Sequence, residues 1–247
     1  PAENIFVNTA TGEIIGTGNG VTIYQMAGSG FLNDGLIAAA RDAVTIESAY
    51  SGYTFENNGD ILADTGIGVS LGYRRSSPFG EPLDPAAART GGDHSPAVEI
   101  NFLNTGNIIA GMTGVDIAHD VFLFQNDGLI SGGQYGVRLA GSVATFTNLG
   151  TITASGGGMP PAPAQEPDTL AAPALRASTL GYGVWLDYLT GDFLNGPDAS
   201  ITGSFRGVNA YLVLEDFVNY GSISGGEQGV QIYSLGGNFI NDGLIEQ

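Results

Sequence analysis

The chain has no cysteine and no lysine, and none of its apolar runs approaches the ~18 residues that a membrane-spanning helix requires. The missing cysteine excludes a disulfide framework, yet it is compatible with export, because long repetitive folds can be held by their backbone ladders alone. With no lysine, all seven basic residues are arginines, and they stand against twenty-five carboxylates for a formal net charge of −18. That balance argues against nucleic acid and anionic lipid as partners, since both need clustered cations to displace counterions. His94 and His119 are single histidines in different settings, so no zinc-ligand spacing exists, and the glycine-rich nonapeptide calcium repeat is absent too. No metal, no cofactor and no membrane insertion are expected. The chain opens at Pro1 without a methionine or a signal peptide, which leads to the expectation of a processed product or a piece of something longer.

What the sequence has in abundance is glycine, at forty of 247 residues about twice the usual ~7% share. It also has a repeat. Phenylalanine recurs at Phe6, Phe31, Phe55, Phe102, Phe124, Phe146, Phe193, Phe217 and Phe239, and each is followed two residues later by asparagine: Asn8, Asn33, Asn57, Asn104, Asn126, Asn148, Asn195, Asn219 and Asn241. An isoleucine column follows at positions 14, 37, 61, 108, 130, 152, 201, 223 and 245, and a valine column at 21, 44, 69, 115, 137, 184, 208 and 230. The cleanest turn, Phe124 to Phe146, advances six residues from Phe to Ile, seven from Ile to Val and nine to the next Phe, a period of twenty-two. Such a period marks a solenoid.

Within each turn the F-x-N, Ile and V-x-I segments alternate with period two and are separated by Gly, Asn and Asp bends, which predicts three short strands per turn and no helix. Stacked copies of one turn place each strand beside its own copy, giving parallel sheets with like residues in ladders about 4.8 Å apart. Phe, Ile and Val then build a dry core. Asparagine at the bend can turn its amide inward and bond both its own backbone and the amides above and below, a structural role. The Gly before most column valines is a corner residue, required by positive φ or by close approach of strands. The expectation is an all-β, right-handed parallel β-helix (β-solenoid) of about eight to nine turns, a single domain over 1–247 with inserted loops at roughly 72–97 and 154–181.

The runs GLISGGQYGVRLAGSVATFTNLGTITASGG and YGSISGGEQGVQIYSLGGNFINDGLI resemble the repeats of bacterial autotransporter passenger domains and related surface adhesins. The resemblance covers nearly every turn. It implies β-helix architecture and an extracellular, cell-surface location, while the signal peptide and membrane barrel of a whole autotransporter are not in this sequence.

Between Val69 and Phe102 the chain runs 33 residues where nine is usual, and this excursion holds Arg74, Arg75 and Arg89, making it the least acidic part of the chain and a candidate partner loop. The second excursion, between Ile152 and Val184, is rich in Gly, Pro and Ala and reads as a partly extended arm. Asp116 and Arg138 follow neighbouring column valines and should form a surface ion pair. By the same counting Asp187, Tyr211 and Tyr233 share a strip with Trp185 nearby, the best candidate for glycan contact. The residues after the Phe column, among them Val7, Leu32, Leu103, Leu194, Val218 and Ile240, form an apolar stripe outside the coil or are turned inward by the bend; both readings stand.

Paired carboxylates with catalytic spacing are missing, so no enzymatic activity is expected. No capping segment is recognised at either end, so the expectation is that flanking turns have been removed or that the open end docks onto the start of another copy. The sequence therefore points to a structural surface adhesin, stalk segment or fibre subunit, whose partner is another copy stacked head to tail or a ligand on a host or neighbouring surface. The alternative is a polysaccharide-binding or polysaccharide-cleaving β-helix, with the Asp187 strip and the 72–97 loop forming a groove.

Overall fold

The computed structural model describes residues 5–26, 30–49, 52–72, 99–157 and 180–247; the loop arginines Arg74, Arg75 and Arg89 lie outside the described residues. All regular structure among the described residues is strand. Phe strands run from Ile5–Asn8 to Phe239–Asn241, Ile strands from Glu13–Gly16 to Leu244–Glu246, and Val strands from Val21–Ile23 to Gln228–Leu235. Every inter-strand pairing is parallel, and the column residues pair like on like: Phe124 faces Phe102 and Phe146, Ile130 faces Ile108 and Ile152, and Val137 faces Val115 and Val184. The chain is a parallel β-solenoid of about eight coils.

Separate strands were expected at all three positions, and the structure differs at one corner. Tyr135–Asn148 is one unbroken strand that carries both Val137 and Phe146, so Val and Phe strands join in a single sheet while Ile strands form the other. In this coil the nine-residue Val-to-Phe connection is unbroken, whereas in the neighbouring coils Thr113–Ile117 and Asp120–Asn126, and Tyr182–Leu189 and Phe193–Asn195, stay separate strands. A register shift between Leu139 and Ser142 absorbs the change of direction, as a bulge does.

The sheets enclose a continuous apolar core. Phe31 to Phe217 in the column are at most 1% exposed, and successive rings stack at 4.3 to 5.2 Å with interplanar angles of 0 to 8°. This distance is set by the backbone ladder rather than by the rings. A further inner column, Tyr53, Ile100, Val121, Val143, Leu189 and Val213, packs beside it on the approach to the Phe strands.

Tyr53 is the misfit in that column: it is 1% exposed and its hydroxyl has no hydrogen-bond partner. Burial pushes the phenol far above its ordinary value of 10.0. Tyr53→Phe should raise stability by about 1 kcal/mol, because it removes an unpaired buried hydroxyl without changing the ring. The sign at alkaline pH follows from the same burial. The unfolded phenol ionises first, so the wild type loses stability as pH rises through about 10 and the variant loses less. Urea titrations at neutral and alkaline pH check both statements; a variant less stable than wild type at neutral pH would refute the placement of the hydroxyl.

Two glycine columns show what the corners demand. A Cβ on Gly136 would lie 2.6 Å from both Gly183 O and Ile152 Cγ2, and Gly136 is not among the positive-φ glycines. Of the two reasons for a Gly before Val, close approach therefore holds. At the N-D-G bend, a Cβ on Gly128 would overlap the carbonyl oxygen of Gly106 in the preceding coil.

The stripe after the Phe column faces outward. Val7 pairs with Leu32, and Leu194 with Val218 and then Ile240, all half-buried or exposed, but Glu56, Gln125 and Thr147 interrupt the row. At the last coil Phe239, Ile240 and Leu244 are exposed, and Val230, Ile232, Leu235, Phe239 and Ile245 line an apolar hollow of about 470 Å³.

Candidate functional site

Two constellations stand out, one inside the coil and one on its outer face. Inside, the nine asparagines form an unbroken ladder. Each Nδ2 from Asn8 to Asn219 donates to the Oδ1 of the next rung at 2.7 to 2.9 Å. Except in the two wide-bend coils of Asn8 and Asn195, the same nitrogen also donates to the carbonyl two residues ahead in its own bend, as Asn126 does to Gly128 O at 3.1 Å. Each internal rung is essentially inaccessible to solvent, so these bonds satisfy polar groups that the bend would otherwise strand. The ladder has a direction. All Nδ2 groups point toward the C-terminal end, where Asn241 Nδ2 bonds only Gly243 O.

Outside, the Val strands of the later coils carry an aromatic face. Parallel pairing puts Tyr135 against Tyr182, Arg138 against Trp185, and Trp185 against Asn209. The pairs Leu186 with Ala210 and Tyr188 with Leu212 set Asp187 level with Tyr211, and the next register sets Tyr211 level with Tyr233. The structure thus brings together the four residues singled out from sequence. Trp185 Nε1 donates to Asp187 Oδ1 at 2.9 Å, Tyr211 and Tyr233 have ring centroids 5.8 Å apart, and Tyr188 meets Tyr211 at 6.1 Å. Tyr211 and Tyr233 are 52% and 60% exposed.

Sequence reasoning missed the other half of this face. Trp185 sits edge-on to Tyr182 at 4.9 Å, Tyr182 meets Phe205 at 5.4 Å, and the Arg206 guanidinium lies 4.6 Å from the Phe205 ring centroid. Arg206 is pinned there by bonds from Nε to Gln228 Oε1 and from Nη1 to Asn209 Oδ1, both 2.9 Å. Burial raises the Tyr182 phenol, with the Arg206 charge pulling the other way. The available signal was that Tyr135, Tyr182 and Arg206 all stand two residues before a column valine, on the same outer row.

Asp116 and Arg138 pair as counted, 3.6 Å apart, but not as a surface ion pair: the Asp116 carboxylate is 3% exposed. Ser70, its neighbour in the preceding coil, is buried as well, so this part of the outer face is closed to solvent. Among the described residues no group of three or more His, Asp or Glu could hold a metal ion. Burial lowers the His119 imidazole, with Asp120 opposing.

No family model, no curated protein and no solved structure matches the chain.

Proposed function

We propose that this chain is a non-enzymatic structural β-solenoid of a bacterial cell surface, a stalk or adhesin segment or fibre subunit that extends by stacking further coils end to end. The observation that supports this reading is the directional asparagine ladder together with the apolar side chains exposed at the last described coil. At the last rung an amide donor is left facing outward beside Phe239 and Ile245, while the first rung, Asn8, offers an Oδ1 to which no ladder amide donates. Donor end and acceptor end are complementary, and both present Phe, Ile and Val strands in the same order. A coil placed on the last one continues every ladder and removes apolar surface from water, at about 25 cal/mol per Å². An acidic surface without lysine keeps the sides of such rods apart.

Electron microscopy of the purified chain across a concentration series tests this. Fibres whose axial repeat matches about eight coils, near 40 Å at ~4.8 Å per coil, are expected, together with their loss in Phe239→Asp, which puts a charge into the joining surface. Single short rods at every concentration would overturn self-stacking.

A further inference from the structure

The outer face of the later Val strands has no part in coil stacking. It is side-on to the axis, and its composition is unlike the rest of the surface. We propose that Trp185, Asp187, Tyr211 and Tyr233 form a binding site for a neutral polysaccharide, whose pyranose rings lie on the two tyrosine faces while a ring hydroxyl donates to Asp187.

Four observations carry it. First, Tyr211 is more than half exposed although its strand is paired on both sides, Tyr233 stands beside it on the last coil, and large aromatic area left in water at neighbouring positions marks a contact surface. Second, the two rings stand on adjacent coils with centroids 5.8 Å apart and planes tilted by 37°, a separation comparable to one pyranose unit, so consecutive rings of a glycan running from coil to coil can each meet one tyrosine. Third, the face is amphipathic in the way a sugar is. Aromatic faces take the apolar C–H side of the ring, and polar groups at its edge take hydroxyls. Trp185 Nε1 occupies only Oδ1 of Asp187, and Gln231, two residues before Tyr233 on the same outer side, has a buried Oε1 without a donor. Fourth, the site is preorganised. The indole is held by Asp187 and by the edge contact with Tyr182, so ordering costs on binding are small.

Other occupants fit less well. The strands bearing Asp187 and Tyr211 are paired on both sides, so a peptide cannot add to them as a further strand. Acidic glycans and nucleic acids meet a carboxylate at the centre of the site on a chain of net charge −18. The nearby cations Arg138 and Arg206 are committed to Asp116, Asn209 and Gln228.

Trp185 is the single tryptophan of the chain, so its fluorescence reports this site alone. The experiment titrates the full chain, at concentrations where microscopy shows single rods, with neutral cello-, malto-, manno- and galacto-oligosaccharides and with oligogalacturonate and heparin as acidic probes. A saturable change with at least one neutral probe is expected. It should weaken about tenfold or more in Tyr211→Ala and in Tyr233→Ala and be retained in Tyr211→Phe, which keeps the ring. Both tyrosines are exposed, so circular dichroism should be unchanged. No response to any neutral probe, a response to acidic probes alone, or a response that survives both alanine variants would overturn the proposal. Because stacking is read at the coil ends and binding on the side, either can fail without the other.

Discussion

Phe124→Ala is expected to destabilise the chain by about 3–5 kcal/mol, a large part of the 5–15 kcal/mol by which domains are ordinarily stable. Phe124 is fully buried, with Phe102 and Phe146 each 4.9 Å away, centroid to centroid, on either side. Removing the ring loses its transfer free energy and opens a cavity that cannot collapse, because the ladder on both flanks fixes the coil spacing. The site within the solenoid decides the size of the effect. At the last coil Phe239 is 47% exposed and has one ring neighbour, Phe217, so Phe239→Ala should cost much less. Since each coil contacts only its neighbours, hydrogen exchange in Phe124→Ala should accelerate first in the coils around residues 102 to 146. Equal urea midpoints for the two variants would show that the core is not a stack of equivalent interior rungs.

Asn126 gives the second large effect, and for one of its variants the size of that effect depends on pH. Its Oδ1 accepts from Asn104 Nδ2 at 2.8 Å, while its Nδ2 donates to Asn148 Oδ1 at 2.9 Å and to Gly128 O at 3.1 Å. Asn126→Ala strands a donor on one side and acceptors on the other. At about 1–3 kcal/mol for each buried orphan, a loss of about 3 kcal/mol or more follows. Asn126→Asp keeps the acceptor but replaces the donor with a carboxylate that faces the oxygens of Asn148, Gly128 and Thr151, in a site closed to water. The folded state then favours the protonated acid, which can still donate to Asn148, so the folded carboxyl titrates above the usual ~3.9. The unfolded carboxyl ionises first. The variant's deficit relative to wild type should therefore be small at pH 4 or below and grow as pH rises through that value to neutrality. Chemical denaturation at pH 4 and pH 7 measures this. A deficit independent of pH would mean that the amide nitrogen does not point along the ladder as described.

These two positions were readable in the sequence for the same reason that they matter. Every interior coil imposes the same environment on its Phe and on its Asn, so selection of the residue recurs with the coil, and nine copies, six of the eight steps between them 22 to 25 residues long, expose it. The level placement of Asp187, Tyr211 and Tyr233 was readable too, because the register is carried by the neighbouring column valines. Single-copy features were not. Tyr53 heads an inner column whose other members are ordinary Ile, Val and Leu, with no shared letter to align. Phe205 reaches Trp185 through Tyr182 across a bend, off the row that Tyr182 and Arg206 share, and nothing in its spacing announces that contact.

The sequence by itself determined the repeat, the parallel pairing and the identity of the four ladders, since period and alternation leave no other way to bury Phe, Ile and Val in each coil. Tertiary structure decided the rest. It fused the Val and Phe strands where a bulge replaces a turn, turned the stripe after the Phe column outward, and closed Asp116 off from solvent. It also chose close approach to the isoleucine methyl and to the next coil's carbonyl oxygen, not positive φ, as the reason for glycine before valine. Each of those outcomes depends on distances between coils, and a linear pattern records which residues recur but not how closely their neighbours approach.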